Sequence, residues 1–207
     1  MISIKNHWRL LALSVTSILL SSMLLCACGG FGGRYLIESA KTIDEGAAGK
    51  YPLRVRLILS PALCSYTYTY VRQGAKRFYE IGDAMCDNHR NLFHTLFEKV
   101  VVVSDENEGC DSDYDVTATP QIVDTSVLVR PGAPPNFEAT IIYECALVDK
   151  DQRTIFLRTV KEDKVHRGYG HKGYGIVMQQ AVDELFVRLR HEIAISPEIR
   201  RVAGLRK

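Results

Sequence analysis

Gly168-Tyr-Gly-His-Lys-Gly173 has the G-x-G-x-x-G spacing of loops that wrap a pyrophosphate, and it follows an extended pattern and opens a helical one. A dinucleotide site needs those glycines in a βαβ unit, with a parallel strand after the helix. Only helical patterns remain after Gly175, so a connector loop is the default, with Tyr169, His171 and Lys172 as its residues able to touch a glycan or another subunit. Cys86 and His89 stand one helical turn apart with His94 nearby. Tetrahedral zinc takes four ligands, or three and a water, and no nearby cluster supplies the rest. Asp111, Asp113 and Asp115 alternate like calcium-loop acids but lack the remaining ligands and the following glutamate. No serine has a Gly-x-Ser-x-Gly setting, and no cysteine has a His–Asn grouping. The expectation is no catalytic set, no metal and no cofactor.

Tyr66, Tyr68 and Tyr70 also alternate, which in a strand places all three on one face and Thr67 and Thr69 on the other. Each tyrosine offers a large amphipathic area, so the row is the best contact patch in the chain for a sugar or a partner. The plainer alternative is that the rings cover a sheet or helix and only their hydroxyls reach water.

The elements that must carry these residues begin with a leader. Lys5 and Arg9 precede an uncharged apolar run, Leu10 to Leu25, which is shorter than the roughly 20 residues a spanning helix needs. The run closes on Leu25-Cys26-Ala27-Cys28, which resembles the lipobox of bacterial lipoproteins. That resemblance implies cleavage after Ala27 and acylation of Cys28, and Gly29 behind it is similar to lipoproteins sorted to the outer membrane. The whole chain has 26 Lys+Arg and 24 Asp+Glu. Loss of the leader removes Lys5 and Arg9 and no acid, so the mature chain of 180 residues is charge-balanced. A nucleic-acid binder needs a basic surplus, and none survives. Cys64, Cys86, Cys110 and Cys145 then form an even set in an oxidising compartment, with three possible pairings or roles as small buried hydrophobes.

Three segments are expected: a signal peptide over 1–27, a flexible tether over 28–50 and one globular domain over 51–207. The tether is glycine-rich at both ends, with a short helical piece near 38–45, and 22 residues would reach about 70 Å. Leu53, Val55 and Leu57 alternate with Arg54 and Arg56, as in a strand with one wet face. Two short strands flank Gln73-Gly74. Met85, His89, Leu92, Phe93 and Leu96 mark one face of a helix near 83–97 with Asp83 as its N-cap, and Val100–Val103 reads as a central strand. Extended patterns cover 115–130, 137–148 and 153–160. Val182, Leu185, Phe186, Leu189 and Ile193 stripe a long helix over 174–195, and Ser196-Pro197 opens a last short one.

This order argues for an α+β two-layer sandwich, a mostly antiparallel sheet with the helices near 83–97 and 174–195 packed on one face. The layout is similar to small periplasmic lipoproteins such as the curli-export lipoprotein and the amino-terminal domain of the Tol-system β-propeller protein, and to auxiliary lipoproteins of lipid transporters. The expected function is a non-enzymatic assembly or scaffolding subunit of a cell-envelope complex, held to the outer membrane by its lipid and facing the periplasm, with envelope proteins as partners. A lipid-transport auxiliary with an apolar pocket under the 174–195 helix, or a peptidoglycan binder using the tyrosines, is the alternative.

Overall fold

The computed structural model describes residues 32–40, 50–108 and 113–204. Tyr51–Ile58 forms β2, and its alternation turns Leu53, Val55 and Leu57 inward at 0–4% exposure while Arg54 and Arg56 stay on the other face. Pro61–Cys64 is a single turn, α1, capped by the Ser60 hydroxyl. The hairpin around Gln73-Gly74 is present as β3 (Thr67–Arg72) and β4 (Ala75–Glu80). Both turn residues have positive φ, 49° and 78°, which suits the twist of a two-residue hairpin.

α2 spans Gly82–Leu96 and buries every residue of the expected stripe. Its N-cap is Ile81, not Asp83, which sits inside the first turn where a carboxylate complements the helix dipole. β5 (Phe97–Val103) follows directly. β6 (Val116–Arg130), β7 (Asn136–Asp149) and β8 (Thr154–Arg167) make a long meander, and β8 continues seven residues past the expected Val160. α3 is Lys172–Ile195 and α4 is Pro197–Val202, the latter capped by the Ser196 hydroxyl with proline in its first turn.

The α+β class is as expected, with a sheet that is mixed in detail. Five strands lie in the order β5-β2-β6-β7-β8; the β6–β7 and β7–β8 ladders are antiparallel, and β2 pairs in parallel with both β5 and β6. The Val100–Val103 run therefore ends the sheet instead of crossing its centre. Val100 and Val102 are half-buried against the core, while Phe97 and Val103 at the two ends of β5 are buried at 1% and 5% exposure. α2 and α3 cover one face of this sheet, and the stripe of α3 is filled to 0–2% exposure from Val177 to Ile193. Each such side chain contributes about 1.5–3 kcal/mol by leaving water.

A second sheet departs from expectation. Gly33–Leu36, inside the segment read as tether, forms β1 and pairs in parallel with β4, giving a three-stranded sheet β1-β4-β3. Ile37 is 2% exposed in the core, the Glu38 amide donates to Gln179 Oε1 and the Ala40 amide to Asn88 Oδ1. Short alternation in a glycine-flanked segment left no periodicity to read, and tertiary pairing supplied the order. Residues 38–40 are not helical; the rest of the helical piece expected near 38–45 lies outside the described residues. Among the described residues, no helix is long and apolar enough to cross a membrane.

Candidate functional site

The tyrosine row is half in the protein. Tyr68 and Tyr70 share a face of β3 as the alternation requires, but that face looks inward, and Tyr66 just before the strand also packs on the core. The register aligns Tyr35 (β1), Tyr79 (β4) and Tyr68 (β3) in one row and Gly33, Arg77 and Tyr70 in the next. Tyr174, from the first turn of α3, closes the cluster from the other side: its ring lies 6.0 Å from Tyr35, 6.1 Å from Tyr70 and 4.8 Å from Phe137. Tyr35 stacks on Tyr79 at 5.1 Å. The cluster joins the small sheet to the helix layer.

Arg77, which no sequence pattern singles out, sits among these rings. It is 6% exposed, its guanidinium lies 4.4 Å over the Tyr174 ring, and its Nε and Nη1 have no hydrogen-bond partner. A desolvated cation over an aromatic face gains about 2 kcal/mol, which offsets part of the cost of burying the charge. Burial pushes the Tyr35 hydroxyl to higher pKa against the pull of Arg77, and it pushes Tyr79 further, with the Tyr79 hydroxyl also lacking a partner. The one signal available was alternation in Lys76-Arg-Phe-Tyr, which puts Arg77 and Tyr79 on a common face.

The glycine loop does structural work. Gly170 has φ +84°, and a Cβ on Gly173 would stand 2.5 Å from ring carbons of Phe137. α3 leads into α4 and not into a strand, so the βαβ frame of a dinucleotide site is not built here. Tyr169 is 75% exposed, and His171 and Lys172 are exposed beside it. Tyr174, just after this loop, meets Arg77 and Tyr70 in the row next to the Arg72–Lys76 hairpin, and Gly33 at the start of β1 pairs with Arg77 in that same row. The Gly168 amide donates to Pro135 O at 3.2 Å, and Arg167 Nε donates to Asn136 Oδ1.

Cys64 and Cys86 are joined in a disulfide, with Cα atoms 5.5 Å apart, which ties α1 to α2. Cys145 is a buried free thiol whose pKa is pushed up to about 12 by burial. Cys110 and Asp111 lie outside the described residues, as does Cys28. His89 is a core residue: Nδ1 donates to Met85 O at 2.6 Å, and Nε2 accepts from the Tyr143 hydroxyl. Burial lowers its pKa to about 4. With Cys86 in a disulfide and His89 satisfied, neither is free to ligate zinc. Asp113 pairs with Arg54 at 2.6 Å and Lys150 at 2.8 Å, and Asp115 with Arg54 at 3.5 Å. No metal-binding group of His, Cys, Asp and Glu occurs among the described residues.

The helix-free face of the large sheet is open. Leu128, Leu157 and Val165 lie on it at 48%, 47% and 61% exposure. A groove of about 480 Å³ runs along it where β2, β6 and β7 meet the loop after β5, lined by Ile58, Ser60, Ser104, Thr119 and Glu144 among others.

The sequence matches no protein-family model and no curated protein. Several solved structures resemble it. Protein XCC0632 from Xanthomonas campestris, of the family model DUF330, is 14% identical with a TM-score of 0.57, over 79% of this chain and 95% of that one. A minor lipoprotein from Acinetobacter baumannii is 9% identical with a TM-score of 0.42, over 68% of this chain and 91% of that one. At these identities the likeness to the Xanthomonas protein is one of fold: this chain shares its α+β architecture over nearly the whole of that protein.

Proposed function

We propose that the chain is a lipid-anchored protein of the bacterial envelope, held at the outer membrane through Cys28 and facing the periplasm, that serves as a non-enzymatic docking subunit of an envelope assembly. The observation that carries this reading is the start of β1 at Gly33, five residues after the lipobox cysteine. An anchor that close couples the bilayer to a folded sheet, so the domain has a fixed station instead of a long leash. Support for docking comes from the uncovered sheet face. Sheets normally bury a face against another layer, and exposed Leu128, Leu157 and Val165 on an uncovered face favour a partner there.

The lipid-transport alternative calls for an apolar space between the sheet and α3. Val177, Met178, Ala181, Val182, Leu185 and Phe186 fill that interface at 0–2% exposure, which weighs against cargo held there. A glycan platform of Tyr66, Tyr68 and Tyr70 is weakened likewise, because the rings are half-buried against the core.

Mass spectrometry of the mature protein tests the anchor. Residues 1–27 should be gone and Cys28 should carry diacylglycerol; an intact leader or a bare sulfur would overturn the reading. A photo-crosslinker at Leu157 or Val165 in intact cells tests docking, with discrete protein adducts as the expected result. Absence of adducts along the whole open face would refute a docking role for it.

A further inference from the structure

We infer that the end of the domain formed by the Arg72–Lys76 hairpin and the 167–172 loop is a membrane-contact surface that lies on anionic phospholipid headgroups. The inference rests on acylation of Cys28 and goes beyond it, because an anchor alone fixes distance and not orientation. From Cys28 to Gly33 the chain makes five residue steps, at most about 18 Å when fully extended. Gly33 is not a free end: its register partners are Arg77 of β4 and, beyond it, Tyr70 of β3. The end of the molecule that holds Gly33 must therefore sit near the bilayer surface.

The residues gathered there suit that station. β3 runs into the turn through Val71 and Arg72, and β4 leaves it through Lys76, whose carbonyl would lie 2.5 Å from a Cβ on Gly32. Tyr174 ties the start of α3 to the same rows through Arg77 and Tyr70, which brings the preceding loop alongside. Arg167, Tyr169 and Lys172 thus stand beside Arg72 on the inner side of the hairpin, while Val71 and Lys76, one register pair on from Tyr70 and Arg77, project from its other face. The end of the molecule carries these residues on both sides of the turn. Arg72, Lys76, Arg167 and Lys172 form no ion pair among the described residues, whereas the nearby acid Glu138 is already held by Arg130 at 2.6 Å. Val71 and Tyr169 project at 57% and 75% exposure.

Four cations that share no ion pair among the described residues, around an apolar and an aromatic tip, match an anionic headgroup layer. An aromatic ring with a polar tip settles at that depth, and each cation near such a surface strengthens binding about fivefold. The mature chain as a whole is charge-balanced, so this concentration is local. The opposite end is different in kind: Asp113, Asp115, Lys150 and Arg54 there neutralise one another.

The chain's single tryptophan, Trp8, falls in the leader, so Tyr169→Trp gives the mature lipoprotein one indole. The acylated protein, its Cys28 modification verified by mass, is placed in vesicles of phosphatidylcholine alone or mixed with phosphatidylglycerol, each containing lipid brominated high on the acyl chain. Expected is strong quenching in the phosphatidylglycerol vesicles that falls in ~1 M salt, where the Debye length is about 3 Å. Adding Lys76→Gln or Lys172→Gln should lower the docked-to-undocked ratio about fivefold each. Asp151→Trp, in the β7–β8 turn about 40 Å away along β7, should stay unquenched. Acylated protein whose indole at 169 is no better quenched than the one at 151 would overturn the inference and leave the anchor standing. Equal quenching in both lipids without salt dependence would overturn the electrostatic basis, and a bare Cys28 would overturn both readings together.

Discussion

The two sheets meet the helix layer by different chemistry. Under α2 and α3 the five-stranded sheet presents Val55, Leu57, Ala118, Ile141 and Leu147 at 0% exposure, with His89 and Tyr143 as a polar pair that satisfy each other. The small sheet presents Tyr35, Tyr68, Tyr70 and Tyr79 around Arg77, and leaves the Tyr79 hydroxyl and two guanidinium nitrogens without partners. The first interface is mostly apolar, with Asn88 Nδ2 and Thr125 Oγ1 as its own buried atoms without partners, and its stability comes mainly from area removed from water. The second trades hydrogen bonds for ring and cation contacts. Truncation should therefore injure the first severely, while removal of a polar atom should relieve the second.

Phe186→Ala is the harshest test. Its ring meets His89 edge-on at 4.8 Å and is 2% exposed, so truncation should cost about 4 kcal/mol in chemical denaturation. A loss under about 1 kcal/mol would mean the interface collapses freely around the cavity.

Acid should act on the same interface through His89. The unfolded imidazole takes a proton near pH 6.5 and the folded one only near 4, so between those values the unfolded chain binds more protons and stability falls as pH is lowered. His89 then accounts for a loss on the order of 3 kcal/mol between pH 7 and pH 4. Replacing His89→Leu together with Tyr143→Phe removes both members of the pair and should flatten that part of the stability–pH curve. An unchanged slope would assign the effect to other groups.

The smallest expected effect has the opposite sign. Tyr79→Phe removes a buried hydroxyl that has no partner, so it should stabilise the protein by about 1 kcal/mol. A loss of that size instead would show that the hydroxyl is satisfied in solution, and the contrast between the two sheets would shrink accordingly.

Several elements were legible because they repeat within a few residues. The stripes of α2 and α3, the alternation of β2, the hairpin at Gln73-Gly74 and the Ser196-Pro197 start of α4 each carry a local signal of period or turn chemistry. β1 was not legible: four residues between glycines and loops have no period to detect, and their strand state exists only because β4 lies beside them. The Val100–Val103 run reads as central since all its side chains are apolar, yet sheet order depends on which strands it pairs with. Among the candidate contact residues, Tyr169, His171 and Lys172 are exposed as a glycine-rich loop suggests, whereas alternation put Tyr68 and Tyr70 on one face without saying which way that face points.

Legible in the sequence by itself were the apolar run that ends on Leu25-Cys26-Ala27-Cys28, the class of fold and the residues that bury each helix, because each depends on neighbours close along the chain. Only the tertiary structure decided that Cys64 bonds Cys86, that the tyrosines gather around Arg77, and that the first strand begins at Gly33, five residues after Cys28. Those outcomes depend on contacts between segments far apart along the chain, and a local pattern carries no record of which distant surface will be its partner.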